Sequence, residues 1–380
     1  MVIGIVTLPL QSNYGGILQA YALQTTLEML GHEVIIINKS RYRRLHPIKK
    51  PFIYLFRILR KYLFHSSISI RQEMNFNKLL DNLKRKQLYT DVFIHENIHV
   101  RDIESFAELK ESDYDAIVVG SDQIWRKVYA YSMMQSLRDA YLYFAREWKN
   151  IRRIAYAASF GTDDWEYSKK DTAVCSSMLK MFDAVSIREL SGVRLCKEYL
   201  NYGEAELMID PTLLLDKKHY IHLSDKAKQP HLQGGVFSYI LDSRKETEQL
   251  ELAVKNRTHL NVFHQYIISA FFSNDFFAPV IPVEAWIRAF EDCKMIITDS
   301  FHACVFAIIF NKPFWVVGNK DRGLSRFNSL LQIFHLEHRM VCIDDDFEKR
   351  NWEESINWIP INEKREFLKD QSINFLKKNL

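Results

Sequence analysis

The sequence predicts an α/β protein, two Rossmann-like domains facing a cleft, with parallel sheets flanked by helices. Three observations predict it. Short β-branched runs alternate with helix-length segments along most of the chain. Several of these runs stop in a small polar cluster, as at Gly120-Ser121-Asp122-Gln123 and Thr298-Asp299-Ser300. The 380 residues also suffice for two domains of ordinary size. Parallel strands present their carboxyl ends on one edge, where open α/β sheets bind ligands. Clusters of this kind therefore converge on one crevice.

Val2 to Leu8 reads as the first strand, Ile17 to Leu30 as a helix stopped by Gly31, and Glu33 to Asn38 as the second strand. Between the first two lies Asn13-Tyr14-Gly15-Gly16, expected as a loop on the ligand side. It is not GxGxxG, so it supports no dinucleotide site. The paired glycines suit either a ligand close to the backbone or a turn with positive φ. Residues from about 40 to 110 break the alternation and read as a basic helical insertion. Eight basic residues and no acidic one lie between Arg41 and Lys61, interleaved with aromatic and aliphatic side chains. Over 41–64 this composition fits either a basic helix packed by its aromatic face or contact with an anionic membrane surface.

The alternation resumes with strands at 116–119, 154–159, 184–187 and 207–209, the last two ending in Arg188-Glu189 and Asp210-Pro211-Thr212. The first domain is expected over 1–218, and 219–233 is polar enough to be a linker. A second α/β set follows over 219–345, with strands at 235–241, 261–269, 295–297 and 314–317. Helices are expected at 243–256, 282–292, 303–310 and 325–334. Residues 346–380 are expected as a helical tail. Two such domains in tandem make a GT-B-like layout.

Composition narrows the function classes. A hydrophobic share of 47% and a charged share of 26% are those of a soluble globular protein. A net charge of +4 is too small to imply nucleic acid. The five cysteines form no CxxC and no zinc spacing, so they read as buried reduced thiols. There is no HExxH or carboxylate cluster to argue for a metal. MVIGIVTLPL lacks the basic n-region of a signal peptide, and no apolar run reaches the ~18 residues of a membrane span. A cytoplasmic protein is expected, with peripheral contact at the inner membrane face open through 41–64.

The stretch from Lys294 to Phe314 concentrates the chemistry. A strand runs into Thr298-Asp299-Ser300, His302 follows one residue later, and an apolar helix closes at Asn311 and Pro313. Free N–H groups at that helix start favour an anion. A titratable His beside Asp299 and Ser300 is the strongest single functional signal in the chain.

Six segments in order resemble the polysaccharide pyruvyl transferase family. They are Asn13-Tyr14-Gly15-Gly16 with the LQAYALQTTLEMLGHEV that follows shortly after, VVGSDQIW, AASFG at 157–161, SIRE at 186–189, IDPTLLL from Ile209, and TDSFHACVFAIIFNKPF. Arg126 and Ala303 depart from the Asn and Gly common there, and both flank the polar core. The resemblance implies transfer of a pyruvyl group from phosphoenolpyruvate to a hexose of a surface polysaccharide or its lipid-linked precursor, forming a cyclic ketal. No cofactor beyond that donor is implied.

Such a donor carries a carboxylate and a phosphate. Arg188 and Arg326 are the candidates to hold it, with Lys320 and Arg322 weaker and Ser300 at the helix start. Arg188 is open to the alternative of an ion pair with Glu189 or with a neighbouring helix. His302 is the candidate acid/base, with Asp299 to orient it and Asp122 or Asp210 as base for the sugar hydroxyl. Asn13, Tyr14, Gly15, Gly16, Ser121 and Gln123 complete the expected substrate-binding set. Two other readings fit the same architecture: a nucleotide-sugar glycosyltransferase, and a non-catalytic glycan-binding subunit of a polysaccharide assembly complex.

Overall fold

The structure is a computed structural model. It describes residues 1–39, 89–228, 231, 234–242, 244–264, 281–318, 324–342, 345 and 347–380. Among these, two sheets carry the fold. The first has the order β3-β2-β1-β4-β5-β6-β7. Its strands are β1 (Val2–Val6), β2 (Glu33–Lys39), β3 (Val100–Ile103), β4 (Ala116–Val119), β5 (Arg152–Ala158), β6 (Ala184–Ile187) and β7 (Glu206–Leu207). The second has the order β12-β11-β10-β8-β9, from β8 (Val236–Tyr239), β9 (Val262–His264), β10 (Met295–Thr298), β11 (Phe314–Val317) and β12 (Met340–Val341). Every described pairing is parallel. Register is fixed by burial, since β4, β6, β8, β10 and β11 are buried at every position and a one-residue slip would misplace every side chain.

Nine helices longer than one turn have described bounds: α1 (Tyr14–Met29), α2 (Lys169–Leu179), α3 (Leu190–Tyr199), α4 (Lys217–Ser224), α5 (Lys245–Thr258), α6 (Val283–Asp292), α7 (Phe301–Phe310), α8 (Ser325–Phe334) and α9 (Trp358–Asn379). All ten residues of α7 are buried, as expected of a helix that is apolar on all sides. It stops at Asn311, whose left-handed backbone (φ 54°) ends the helix two residues before Pro313. Burial of each large side chain in it contributes roughly 1.5–3 kcal/mol.

Strand order reverses once in each sheet, between β1 and β4 in the first and between β8 and β10 in the second. These are the places where open α/β sheets leave a crevice at their carboxyl ends. One apolar cluster runs through both sheets, taking in Ile3, Ile17 and Val118 from the first and Trp286, Ile296 and Phe306 from the second. Tyr14 ties the halves further. Its ring stacks on Trp286 (centroids 5.5 Å apart), and its hydroxyl donates to the Ile281 carbonyl at 2.7 Å.

Three expectations change here. Residues 219–233 do not begin as a linker: α4 spans Lys217–Ser224, and its fully buried Tyr220 meets Phe306 edge-on at 4.9 Å. The lysines and histidines around Tyr220 and Leu223 mask that apolar pair in the sequence. The expected insertion over 40–110 ends earlier, because residues 89–97 are helical and β3 adds a parallel edge strand to β2. Tyr14, Gly15 and Gly16 are not a loop but the first turn of α1. The tail does form a helix, α9, which returns to the first sheet: Phe375 lies against Tyr156 and Arg152 donates to the Asn379 carbonyl. The basic segment 41–64, Lys320 and Arg322 lie outside the described residues. Among the described residues no helix is long and apolar enough to cross a membrane.

Tyr14→Phe removes the hydroxyl bond between the halves and leaves the ring stacked. It should cost about 1 kcal/mol in urea unfolding, whereas an unchanged midpoint would show that the bond contributes nothing.

Candidate active site

Asp210 is where the strand ends meet. Its side chain starts the short turn Pro211–Leu214, with Oδ1 accepting from Thr212 N (3.0 Å) and Thr212 Oγ1 (2.7 Å). Its Oδ2 accepts from Arg188 Nη1 at 2.6 Å and lies 3.5 Å from both Ser121 Oγ and His302 Nε2. Arg188 also reaches Asp122 Oδ1 through Nη2, at 3.5 Å. The loops after β4, β6 and β7 thus meet the start of α7 at one carboxylate. Asp210 is 1% exposed. Burial alone would raise its pKa, but the positive charges of His302 and Arg188 and the Thr212 hydroxyl overcome this and hold it well below the usual carboxylate range. The Arg188 guanidinium is held protonated; burial opposes this, but Asp210, Asp122 and Glu189 outweigh it.

Beside this pair stands Arg326, in the first turn of α8. Both guanidinium groups lie over the Phe301 ring, Arg188 at 4.5 Å and Arg326 at 5.4 Å from its centroid. Arg326 is 9% exposed and has no ion pair among the described residues. Burial first, and repulsion from Arg188 second, pull its pKa down to about 10. Arg188 Nε, Arg326 Nε and the neighbouring Ser325 Oγ are all buried without a hydrogen-bond partner among the described residues. Buried donors without acceptors are costly in a folded chain, and three of them beside two cations form a site ready for an anion.

Packing places His302. A Cβ on Gly15 would lie 2.1 Å from His302 Nδ1, so α1 must carry glycine there for the imidazole to sit against its backbone. Neither Gly15 nor Gly16 has a positive φ, so close approach, and not turn conformation, explains Gly15; the group that approaches is His302. From the next turn of α1, Gln19 Nε2 donates to Thr7 Oγ1 (3.1 Å) and the Gly16 carbonyl (2.8 Å), and Oε1 accepts from Ser121 N (3.0 Å). This fixes the loop after β4, where Asp122 adopts a positive φ of 48°. Gly161 makes room in turn for Gln123, whose Oε1 would lie 2.0 Å from a Cβ there.

The remaining candidates divide. Ser121, Asp122 and Gln123 stand at the crevice, with Gln123 Oε1 accepting from Arg126 Nη1 at 3.2 Å. Ser300 caps α7 by backbone geometry, and its side chain makes no cap bond. Asn13 is exposed at the start of α1. Asp299 is not placed to orient His302: its oxygens accept from Leu241 N (2.7 Å) and Asp242 N (3.0 Å), which holds the end of β8 against β10. The carboxylate that faces the imidazole is Asp210. Tyr14 is committed to Ile281 and Trp286, and burial pushes its hydroxyl pKa far up, so it serves the contact between halves. Glu189 does not take Arg188 as its ion pair. Its Oε1 accepts from Phe160 N and Gly161 N, and burial raises its pKa, with Arg188 offsetting part of the shift. Gln19 and Phe301 were not singled out in the sequence. Gln19 is one of three polar residues buried in α1, with Gln24 and Thr26, and nothing in its sequence position set it apart from them.

A family model for polysaccharide pyruvyl transferase matches residues 13–321, a span that holds every residue of the Asp210 cluster. The chain belongs to the polysaccharide pyruvyl transferase family. Membership makes the protein a transferase. No curated protein matches the chain. Among solved structures, Arabidopsis thaliana UGT89C1 complexed with UDP-L-rhamnose is similar at 10% identity and a TM-score of 0.51, covering 98% of this chain and 97% of that one. Methanocaldococcus jannaschii UDP-GlcNAc 2-epimerase follows at 9% identity and 0.46, covering 97% and 93%. A glycosyltransferase from Rickettsia africae matches at 13% and 0.47, covering 98% and 93%. At such identities the first likeness shows the fold alone, and it is GT-B-like.

Gly15→Ala should drive a methyl group into His302. It should cost about 1–3 kcal/mol in thermal unfolding, with loss of transferase activity. Gly16→Ala, whose nearest contact would be Asn13 Nδ2 at 3.2 Å, should be far milder. Equal effects of the two would remove the packing argument. Asp210→Asn leaves Arg188 poorly compensated in the interior and should cost about 3–5 kcal/mol in denaturant unfolding at pH 7. The folded pKa of Asp210 is depressed. Its contribution is therefore complete above the usual carboxylate range and lost as pH falls through the lower folded value. The gap between wild type and Asp210→Asn should close along that acid limb.

Proposed function

We propose that the crevice transfers a pyruvyl group from phosphoenolpyruvate to a hexose of a surface polysaccharide or its lipid-linked precursor, as a cyclic ketal. One observation carries this reading: the buried Arg326, without a carboxylate partner among the described residues, beside Arg188 and on the same aromatic ring that precedes His302. Two guanidinium groups so placed suit a small ligand with both a carboxylate and a phosphate. A neutral sugar alone does not call for them. Family membership supports the same donor.

In this mechanism Arg326 and Arg188 hold the donor, with the start of α7 at Ser300 available to one anionic group. His302, which faces Asp210, gives a proton to the methylene carbon of the enol, which becomes the methyl group. The cationic carbon is attacked by one sugar hydroxyl, the bond to phosphate breaks, and the second hydroxyl closes the ring. Two hydroxyl protons are released: one replaces the proton His302 gave, and the other leaves with phosphate. Asp122 is the base for the first hydroxyl. Asp210 is too strongly held as an anion for that role, and its part is to face and orient the imidazole of His302. Asn13, Ser121 and Gln123 border the place where the sugar binds. The likeness to UGT89C1 is one of fold, and no observation beyond the fold favours a nucleotide-sugar donor. The protein works on the inner side of the cell envelope, where phosphoenolpyruvate is found.

The protein incubated with phosphoenolpyruvate and a panel of free and lipid-linked glycans should yield the pyruvyl ketal by mass spectrometry; no ketal on any glycan would sink the reading. His302→Gln should lower kcat by about 10²–10⁴-fold with the fold intact by circular dichroism. Arg326→Ala should raise the donor KM about ten- to a hundredfold, the loss expected of one charged hydrogen-bond partner. A donor KM equal to wild type would remove Arg326 from the site.

A further inference from the structure

A second concave surface adjoins the crevice. Beyond Trp125, which is stacked on Tyr141 and fully buried, the chain passes through Arg126 into a one-turn helix (Lys127–Tyr129) and a π-helical turn (Ala130–Met134). Such π turns are rare and recur at functional sites. The groove they form with the 160s loop has a volume of about 590 Å³ and is lined by Lys127, Val128, Tyr131, Ser132 and Glu166. That lies within the ~300–1,000 Å³ usual for ligand sites. Its apolar members are displayed to solvent, Val128 at 54% and Tyr131 at 43% exposure. They are also held in place. Tyr131 donates from its hydroxyl to Asp171 Oδ1 at 3.1 Å, which fixes the ring, and Lys127 Nζ donates to the Glu166 carbonyl at 3.0 Å.

Arg126 connects this groove to the crevice. It donates to Gln123 Oε1, lies 3.7 Å from Glu166 Oε1, and sits 5.5 Å from the Tyr129 ring, which is itself close enough to Arg326 to influence its charge. A ligand that extends from the anion site past Gln123 therefore runs over Arg126 into the groove. We propose that this groove is a subsite for the acceptor glycan, holding the sugar rings next to the hexose that receives the pyruvyl group. Sugars offer an apolar C–H face and a rim of hydroxyls. The fixed Tyr131 ring and Val128 match the face, and Lys127, Ser132 and Glu166 match the hydroxyls. The inference rests on the reading of the crevice as a pyruvyl transferase site, but binding in the groove is separable from the chemistry.

The test uses the full chain and trisaccharides of glucose, galactose and mannose, first without donor. Saturation-transfer NMR should show binding of at least one trisaccharide to the wild type. Val128→Lys, which fills the groove from an exposed position, should weaken that binding about tenfold, and Tyr131→Ala should do the same. Tyr131→Phe keeps the ring and should keep most of the binding; a role confined to the Asp171 bond would make Phe as damaging as Ala. No trisaccharide bound by the wild type, or undiminished binding by Val128→Lys, overturns the subsite. With phosphoenolpyruvate added, the ratio of trisaccharide KM to donor KM should rise about tenfold in Val128→Lys. Groove-dependent binding with no ketal on these trisaccharides or on any glycan of the wider panel would leave a glycan-binding groove standing and remove the pyruvyl transfer reading. Ketal formation with an unchanged KM ratio would do the reverse.

Discussion

A carboxylate with almost no exposure to water must be compensated by its neighbours, and the compensation of Asp210 organises this protein. Thr212 satisfies one oxygen, and Arg188, Ser121 and His302 surround the other. These partners come from the loops after β4, β6 and β7 and from α7, in both sheets. Removing any one leaves charge behind in a place where solvent cannot screen it. The cluster is therefore structural and chemical at once: the carboxylate that its neighbours keep ionised is also the one that faces the imidazole of His302.

Arg326 has the opposite character. Asp210 is surrounded by partners, but Arg326 lies on an aromatic face beside a second cation and makes no ion pair among the described residues, Asp122 and Glu189 offsetting only part of its burial. An arrangement that strains its own charge gains from whatever anion enters. Phe301 is central to that balance, since its ring is the surface that both guanidinium groups share. The acid/base candidate and the ring lie in the first turn of α7, and the two guanidinium groups reach that ring from the loop after β6 and from the start of α8.

Most of the architecture was legible in the sequence because the strands are buried on both faces and read as short, mostly apolar runs: 116–119, 184–187 and 314–317 match to the residue. The edge strands β3 and β12 were missed: β3 carries Arg101 and Asp102 among its four residues, and β12 is only two residues long. So was α4, whose buried residues are Tyr220, Leu223 and Ser224 among lysines and histidines. At the site, strand-end position identified Arg188, Asp122, Asp210 and His302, since topology alone sends those ends to one edge. Which groups pair across that edge is set by side-chain reach over long sequence separations. Local reading therefore joined His302 to Asp299, three residues away, and overlooked Asp210 as its partner. It also took Gly15 as room for a ligand, where the close neighbour is the imidazole.

The contact of α1 with the far half of the chain has a consequence for how the protein is made. Tyr14 and Ile281 are 267 residues apart. During synthesis the first sheet can form while the groove that receives Tyr14, Trp286's flank and the wall of α7 does not yet exist. Until then Tyr14, at the amino-terminal turn of α1, lacks the Trp286 ring and the Ile281 carbonyl that bury it in the finished fold. Contacts of such long range form late, and exposed apolar surface in the interval invites association with other chains. The last event in folding is then the one that also completes the crevice, so a chain that fails to dock its two halves is both inactive and adhesive.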